Sequence, residues 1–317
     1  MASLQSIEKR IKSIKSVRKI TSAMELVAAT KMRRAQETAL NSRPYAFTAL
    51  EMLANAIETL AKQGINLSLI PLLGKPKTET RAILLVTSDK GLAGTFNSSV
   101  FRKYEQFVSA NKAKEKEFII IAVGQKSEDY ARRRGLNVVK SFTRLGDMIH
   151  THETEELGNF LMSGFVSGAW GTLISFSTNF VSALKQEPLM RTLLPIDFQK
   201  IREGVNDLIP KTGRYSNLRT SVMESRPQAP VEYIIEPSPI ETLQKLVPAL
   251  FKMQMYHMIL ESNASEHSAR RLAMKNASDN AKELTDELSI VYNRVRQEQI
   301  TTEILEITGG ARALAQS

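Results

Sequence analysis

The fold class this sequence predicts is α/β: an alternating strand and helix domain held between two long helices that pair as an antiparallel coiled coil. Three observations predict it: where the helix breakers fall, how the apolar residues are spaced at the two ends, and how strand and helix patterns alternate between them. Residues 1–63 contain no glycine and a single proline, Pro44. Residues 64–240 hold thirteen of the fifteen glycines and nine of the eleven prolines, and residues 249–308 hold neither. A breaker-rich middle therefore separates two ends that nothing interrupts.

At the first end, Ile7, Ile11, Ile14, Val17, Ile20, Met24 and Val27 recur every three or four residues. That is the narrow stripe of a coiled coil, not the wider face of a helix lying on a globular core. Near the other end, Leu272, Leu284, Leu288, Val291, Val295, Ile300 and Ile304 continue the pattern. A helix over 249–308 would measure about 90 Å at 1.5 Å per residue, several times the average globular helix. Neither stripe can bury itself, and isolated helices draw little stability from propensity. Pairing the two ends is the economical solution.

The middle alternates. RAILLVTS (81–88) reads as a strand, followed by a helix over NSSVFRKYEQFVSA capped by Asn97. EFIIIAV (117–123) is a second strand and QKSEDYARRRG a helix ended by Gly135. LNVVKSF, a helix through 153–168, TLISFS and VEYIIEP complete the series, which points to a mostly parallel sheet. The polar run 197–230, with Pro210, Gly213, Pro227 and Pro230, reads as a surface excursion. Three segments result: an N-terminal shaft helix (1–63), an α/β domain carrying the excursion (64–240), and a C-terminal shaft helix (241–317).

Composition narrows the function classes. With 42% hydrophobic residues the 317-residue chain can build a sizeable core, and the absence of cysteine removes disulfides, thiolate metal sites and thiol switches. A net charge of +10 calls for an anionic partner: nucleic acid, anionic lipid or an acidic protein surface. Charges recurring from Glu8 and Lys9 leave no apolar core for a signal peptide. The uncharged run 157–184 is only about half apolar and reads as a helix end followed by a buried strand, not as a membrane span, which wants about 20 predominantly apolar residues.

Chemistry is sparse. SDKGLAGTFN (88–97) sits where α/β proteins often hold phosphate, but it is neither G-x-G-x-x-G nor a P-loop, and its lysine precedes its glycines. Gly91 and Gly94 are explained by a tight strand-to-helix turn. HTHETEEL (150–157) offers His150, His152 and three glutamates without the spacing of H-E-x-x-H; glutamates at a helix start are favoured by the helix dipole alone. His257 and His267 sit singly on the long helix and read as surface or interface residues. The basic signal is stronger. Residues 1–36 carry nine Lys and Arg against Glu8 and Glu25, a net of +7, with no aromatic before Tyr45 to stack on a base. At this level an α/β nucleotide-binding enzyme and a basic coiled-coil nucleic-acid binder both remain beside a protein-interaction rod.

Four blocks decide among them. RIKSIKSVRKITSAMELVAATKMRRAQ, with its K-I-T-x-A-M-x-x-V-A-A core at Lys19 to Ala29, resembles the opening helix of the gamma subunit of F-type ATP synthase. SDKGLAGTFN is similar to that family's internal S-D-[RK]-G-L-x-G-x-[FY]-N. SEHSARRLAMKNASDNAKEL (265–284) and YNRVRQEQIT (292–301) resemble its C-terminal helix. The chain closes on the signature I-T-x-E-x-x-E-x-x-x-G-A-x-A, from Ile300 to Ala313.

The resemblance implies a central-stalk rotor. Its coiled coil stands in a ring of alternating alpha and beta subunits, above a Rossmann-like foot that meets the epsilon subunit and the membrane c ring. It implies torque passed between the c ring and the catalytic ring, coupling ion flow to ATP synthesis or hydrolysis. No catalytic residue, cofactor, metal, nucleic acid or direct membrane insertion belongs to it. It places the chain peripherally on the cytoplasmic face of a bacterial inner membrane, or the organellar equivalent. By residue-wise match, Met24 lies where the shaft passes the beta lever, and Lys31, Arg33 and Arg34 suit that lever's acidic segment. Arg296, Gln297 and Thr301 match contacts to a beta catch loop. The family's photosynthetic members carry a regulatory insert where 197–230 lies; without cysteines it is no disulfide switch here. GTLISFSTNF (171–180) lacks the charges expected for foot contacts, and Ala93 stands where relatives often have cysteine.

Overall fold

The structure, a computed structural model, describes residues 4–62, 64, 70–111, 118–145, 151–197 and 238–315. Its elements are α1 (Leu4–Lys62), β1 (Arg81–Val86), α2 (Phe96–Ala110), β2 (Phe118–Val123) and α3 (Gln125–Arg133). There follow β3 (Val138–Phe142), α4 (Thr151–Ser167), β4 (Thr172–Phe180), β5 (Gln186–Leu194) and the terminal helix α5 (Pro239–Ala315). The strand expected in VEYIIEP and nearly all of the excursion 197–230 lie outside the described residues.

Two compact units emerge: Met1–Ala29 with Arg270–Ser317, and Thr30–Ala269. In the second unit the sheet runs β3-β2-β1-β4-β5. The first four strands are parallel and β5 is antiparallel to β4, with Ile83 facing Ile120 on one side and Ile174 on the other. Because β1 is covered on both faces, its sequence is a continuous aliphatic run and not an alternation. On one face Leu84, Val86, Ile121, Val123 and Leu173 pack with Leu157, Leu161 and Phe165 of α4, with Leu243, Val247 and Phe251 of α5, and with Ile57 and Leu60 of α1. On the other, Ile83, Leu85, Ile120, Ile174 and Phe176 pack with Val100 and Tyr104 of α2 and with Tyr130 of α3.

Several details differ from expectation. β5 was not foreseen: QEPLMRTLL carries Pro188 and no clean alternation, which an edge strand tolerates. Asn97 does not cap α2. The N-cap is Thr95, and the Asn97 Oδ1 instead accepts hydrogen bonds from the Ser88 backbone N–H (3.0 Å) and the Ser88 hydroxyl (3.1 Å). α5 begins ten residues before the breaker-free stretch. Ser238 accepts the Glu241 N–H at 3.2 Å, Pro239 stands at the first helical position, and Pro248 is carried inside the helix. His257 and His267 are not surface residues: both are buried, 5% and 2% exposed, on the part of α5 that packs within the sheet-bearing unit.

Candidate functional site

The coil unit is built from the outer ends of α1 and α5. The two helices come near one another at Lys12: its ammonium is held above its ordinary value first by the hydrogen bond and charge of Glu8 (2.7 Å), with a smaller contribution from Tyr292 of the other helix.

The apolar stripe read from the sequence splits after Ile14. Ile7 and Ile11 are buried and Ile14 half-buried, but the buried line then passes to Thr21 and Ala28. Val17, Ile20 and Val27 turn outward, 48%, 57% and 55% exposed, with Met24 half-buried between them. The two lines are one residue, about 100°, apart around the helix. The same split appears on α5: Met274, Ala281 and Thr285 are buried, Leu288 and Val295 half-buried, while Leu272, Leu284 and Val291 are exposed. Counting large aliphatics selects the outward line because, beyond Ile11, the buried positions of α1 in this unit are Thr21 and Ala28, and those of α5 include Ala281 and Thr285 beside Met274.

Farther along α5 the surface is open on every side. Arg296, Gln297, Ile300, Thr301, Ile304 and Ile307 are all exposed. Gln297 and Thr301 share a face one turn apart, the Thr301 hydroxyl donating to the Gln297 carbonyl at 2.9 Å. Arg296 heads the neighbouring face of Ile300, Ile304 and Ile307. Leu26 (72% exposed), Ile290 and Leu305 were not singled out from sequence, although each is a large apolar residue off the buried line. α5 also presents Asp279, Glu283, Asp286 and Glu287 around Lys282, so the acidic stretch lies on the opposite helix from the basic N-terminus.

Lys31, Arg33 and Arg34 belong to the portion of α1 in the sheet-bearing unit. Arg33 and Arg34 are exposed, Arg33 paired with Glu37 at 3.1 Å, and Lys31 is half-buried.

The glycine turn after β1 is a structural joint. Asp89 Oδ1 accepts from the Gln125 backbone N–H at 2.9 Å and the Arg144 N–H at 3.1 Å. It thus already supplies the negative charge that the start of α3 favours, where a phosphate would otherwise sit. A cavity of about 380 Å³ lies beside it, lined by Lys90, Arg144, Glu266 and His267 among others. His150 of the histidine run is outside the described residues, and His152 lies in the first turn of α4. Among the described residues no three His, Cys, Asp or Glu side chains are grouped to hold a metal, and no helix is long and apolar enough to cross a membrane. What this geometry offers chemically is binding surface: an apolar stripe on a rod, with a polar and aliphatic end.

Known proteins share this arrangement. The family model described as ATP synthase matches residues 3–314. The ATP synthase gamma chain of Synechococcus sp. (strain PCC 6716) is 37% identical over 317 residues, covering 99% of this chain and all of that protein. The ATP synthase gamma chain of Dehalococcoides mccartyi is 38% identical over 315 residues with the same coverage. Among solved structures, a chain of the Euglena gracilis mitochondrial ATP synthase, in its OSCP, F1 and c-ring assembly, aligns with a TM-score of 0.60 at 16% identity, over 98% of this chain and 94% of that one. A chain from the central stalk and c ring of the Tetrahymena thermophila enzyme gives 0.56 at 21% identity, over 82% and 99%. At those identities the two structures speak for the fold.

Proposed function

This chain belongs to the ATP synthase gamma-chain family, and on that premise we propose how it works: as the central-stalk rotor subunit, carrying torque between a membrane c ring and a catalytic ring of alpha and beta subunits. The observation that carries the reading is similarity over the full length of gamma chains, 37% identity across the whole of the Synechococcus protein. The coil geometry supports it, because a rod whose aliphatic residues face outward is suited to being enclosed.

In this reading 1–63 and 241–317 act as shaft and 64–240 as foot, the foot meeting the epsilon subunit and the c ring. The protein stays peripheral to the membrane through those partners, on the cytoplasmic face in a bacterium or its equivalent in an organelle. Rotation presents different faces of the coil to successive beta subunits. A beta subunit changes state only if the shaft has different contact free energies with its states, so the coil acts by shifting populations. Val17, Ile20, Met24 and Val27 supply the apolar part of that contact. Lys31, Arg33 and Arg34 supply steering toward an acidic lever, which charge does better than it supplies affinity. Arg296, Gln297 and Thr301 supply polar contacts to a beta loop.

The test is co-purification. The tagged chain is mixed with purified alpha and beta subunits and followed by size exclusion and ATPase assay. One copy joining the ring and activating it supports the rotor reading; failure with subunits that assemble around another gamma chain overturns it. Gln297→Leu with Thr301→Val is expected to impair coupled ATPase while the chain still assembles; wild-type ATPase would remove those two contacts from the proposal.

A further inference from the structure

The seam of the coil is thin where a coiled coil is normally thick. An ordinary pair fills both core positions of each heptad with large aliphatics. Here the buried large apolar side chains among the described residues of the unit are Ile7 and Ile11 on α1 and Met274 on α5. Between Ile14 and Ala28 the one buried side chain of α1 is Thr21, and the buried residues of α5 in the same unit include the small Ala281 and Thr285. Neither threonine hydroxyl is spent across the seam: Thr21 donates to the Arg18 carbonyl (3.1 Å) and Thr285 to the Ala281 carbonyl (2.7 Å), each on its own helix. Meanwhile Val17, Ile20, Leu26, Val27, Leu284, Ile290 and Val291 stand in water.

Burial decides which parts of a chain open first. A helix pair joined through small residues buries little apolar area, and long helices are marginal without a packed partner. The sheet, by contrast, is covered on both faces by large buried side chains. We propose that the shaft unit is a fold completed by its enclosure. In the free chain the coil of residues 4–29 and 270–315 opens independently while the sheet stays closed, and the surrounding ring supplies the burial the seam lacks. Only the identity of the enclosing partner rests on the rotor reading; the weakness of the seam does not.

Hydrogen exchange on the purified full-length chain tests it. Amides of 4–29 and 270–315 are expected to exchange at least about a hundredfold faster than those of β1, β2 and β4, since local opening follows local burial. Equal protection in shaft and sheet overturns the proposal. Thr21→Val with Thr285→Val then tests the cause: valine keeps the volume and branching of threonine, exchanges the hydroxyl for apolar surface, and gives up only a side-chain bond to a carbonyl of its own helix. The pair is expected to slow coil exchange about tenfold and leave β1 unchanged; no slowing overturns the seam as the origin of the opening. Finally, purified alpha and beta subunits are added. Protection of the coil rising toward that of the sheet supports the ring as the enclosing partner, while an open coil that gains none overturns the rotor reading and leaves the seam argument standing.

Discussion

Gly164 and Trp170 compete for one volume: the indole of Trp170 lies where any side chain at position 164 would begin. The helix end and the strand start are tied at the same point, since the Ala169 N–H donates to the Gly164 carbonyl at 2.9 Å. Trp170, 3% exposed, closes the core between α4 and β4 and packs on Phe160 with ring centroids 5.6 Å apart.

Gly164→Ala is therefore expected to destabilise the sheet-bearing unit by about 1–3 kcal/mol, the usual cost of overpacking. That outweighs the gain of up to about 1 kcal/mol that alanine brings to a helix. Trp170 is the chain's one tryptophan, so its fluorescence in urea reports this unit directly. An unchanged midpoint would show that the indole moves aside at little cost.

Asp89 joins three chain segments through backbone N–H groups at the start of α3 and at Arg144, which it holds at a φ of 62°. Asp89→Ala leaves both donors without their acceptor and is expected to cost about 1–2 kcal/mol. Asp89→Asn keeps an oxygen in place and gives up only the charge at the helix start, so its loss is smaller, about 0.3–1 kcal/mol. Urea midpoints of the two variants in the order Asn above Ala check the assignment; the reverse order contradicts it.

This joint also shows what a single sequence conveys. The glycine turn at 88–97 was legible as a turn because Gly91 and Gly94 permit it. That Asp89 serves a helix thirty-six residues later was not, because the partner is a backbone N–H and carries no residue type. The parallel strands were legible from their aliphatic runs. β5 was not, since an edge strand needs neither continuous apolarity nor alternation. In the coil, the heptad spacing of Ile7, Ile11 and Ile14 announced a helix pair correctly. It misassigned Val17, Ile20 and Val27, because spacing reveals a stripe but not which partner covers it. The start of α5 was available in SPIE, a Ser-x-x-Glu capping box with proline at the first helical position.

Tyr130 gives the sheet-bearing unit an alkaline limit. Its phenol is held well above the usual tyrosine range, first by burial and then by the hydrogen bond it donates to Glu105 at 2.8 Å. The unfolded chain releases this proton near pH 10, before the folded one does. The contribution is thus present in full below about pH 10 and is lost as pH rises beyond it. Tyr130→Phe is expected to cost about 1 kcal/mol at neutral pH through the lost hydrogen bond. It should also lose stability less steeply between about pH 9 and about pH 11. Tyr256, raised by burial alone, keeps part of the slope in the variant. Urea midpoints followed by Trp170 fluorescence across that range check both statements; parallel curves would assign the alkaline loss elsewhere.

The outward stripe and the basic cluster make separable predictions about partner binding. Replacing Val17, Ile20 and Val27 by serine changes helix propensity little, because valine, isoleucine and serine rank close together. The Trp170-reported stability of the free chain is then expected to stay within about 0.5 kcal/mol of wild type, as for ordinary surface changes. Assembly with alpha and beta subunits should weaken by at least about tenfold, since each aliphatic buried in a partner is worth about 1.5–3 kcal/mol. Arg33→Glu with Arg34→Glu should act differently, slowing association and flattening its dependence on salt while changing dissociation little. Association and dissociation rates at two salt concentrations separate the cases. If the serine variant assembles with wild-type rates, the outward apolar line is not what the ring holds, and the basic cluster or the exposed end of α5 carries the contact.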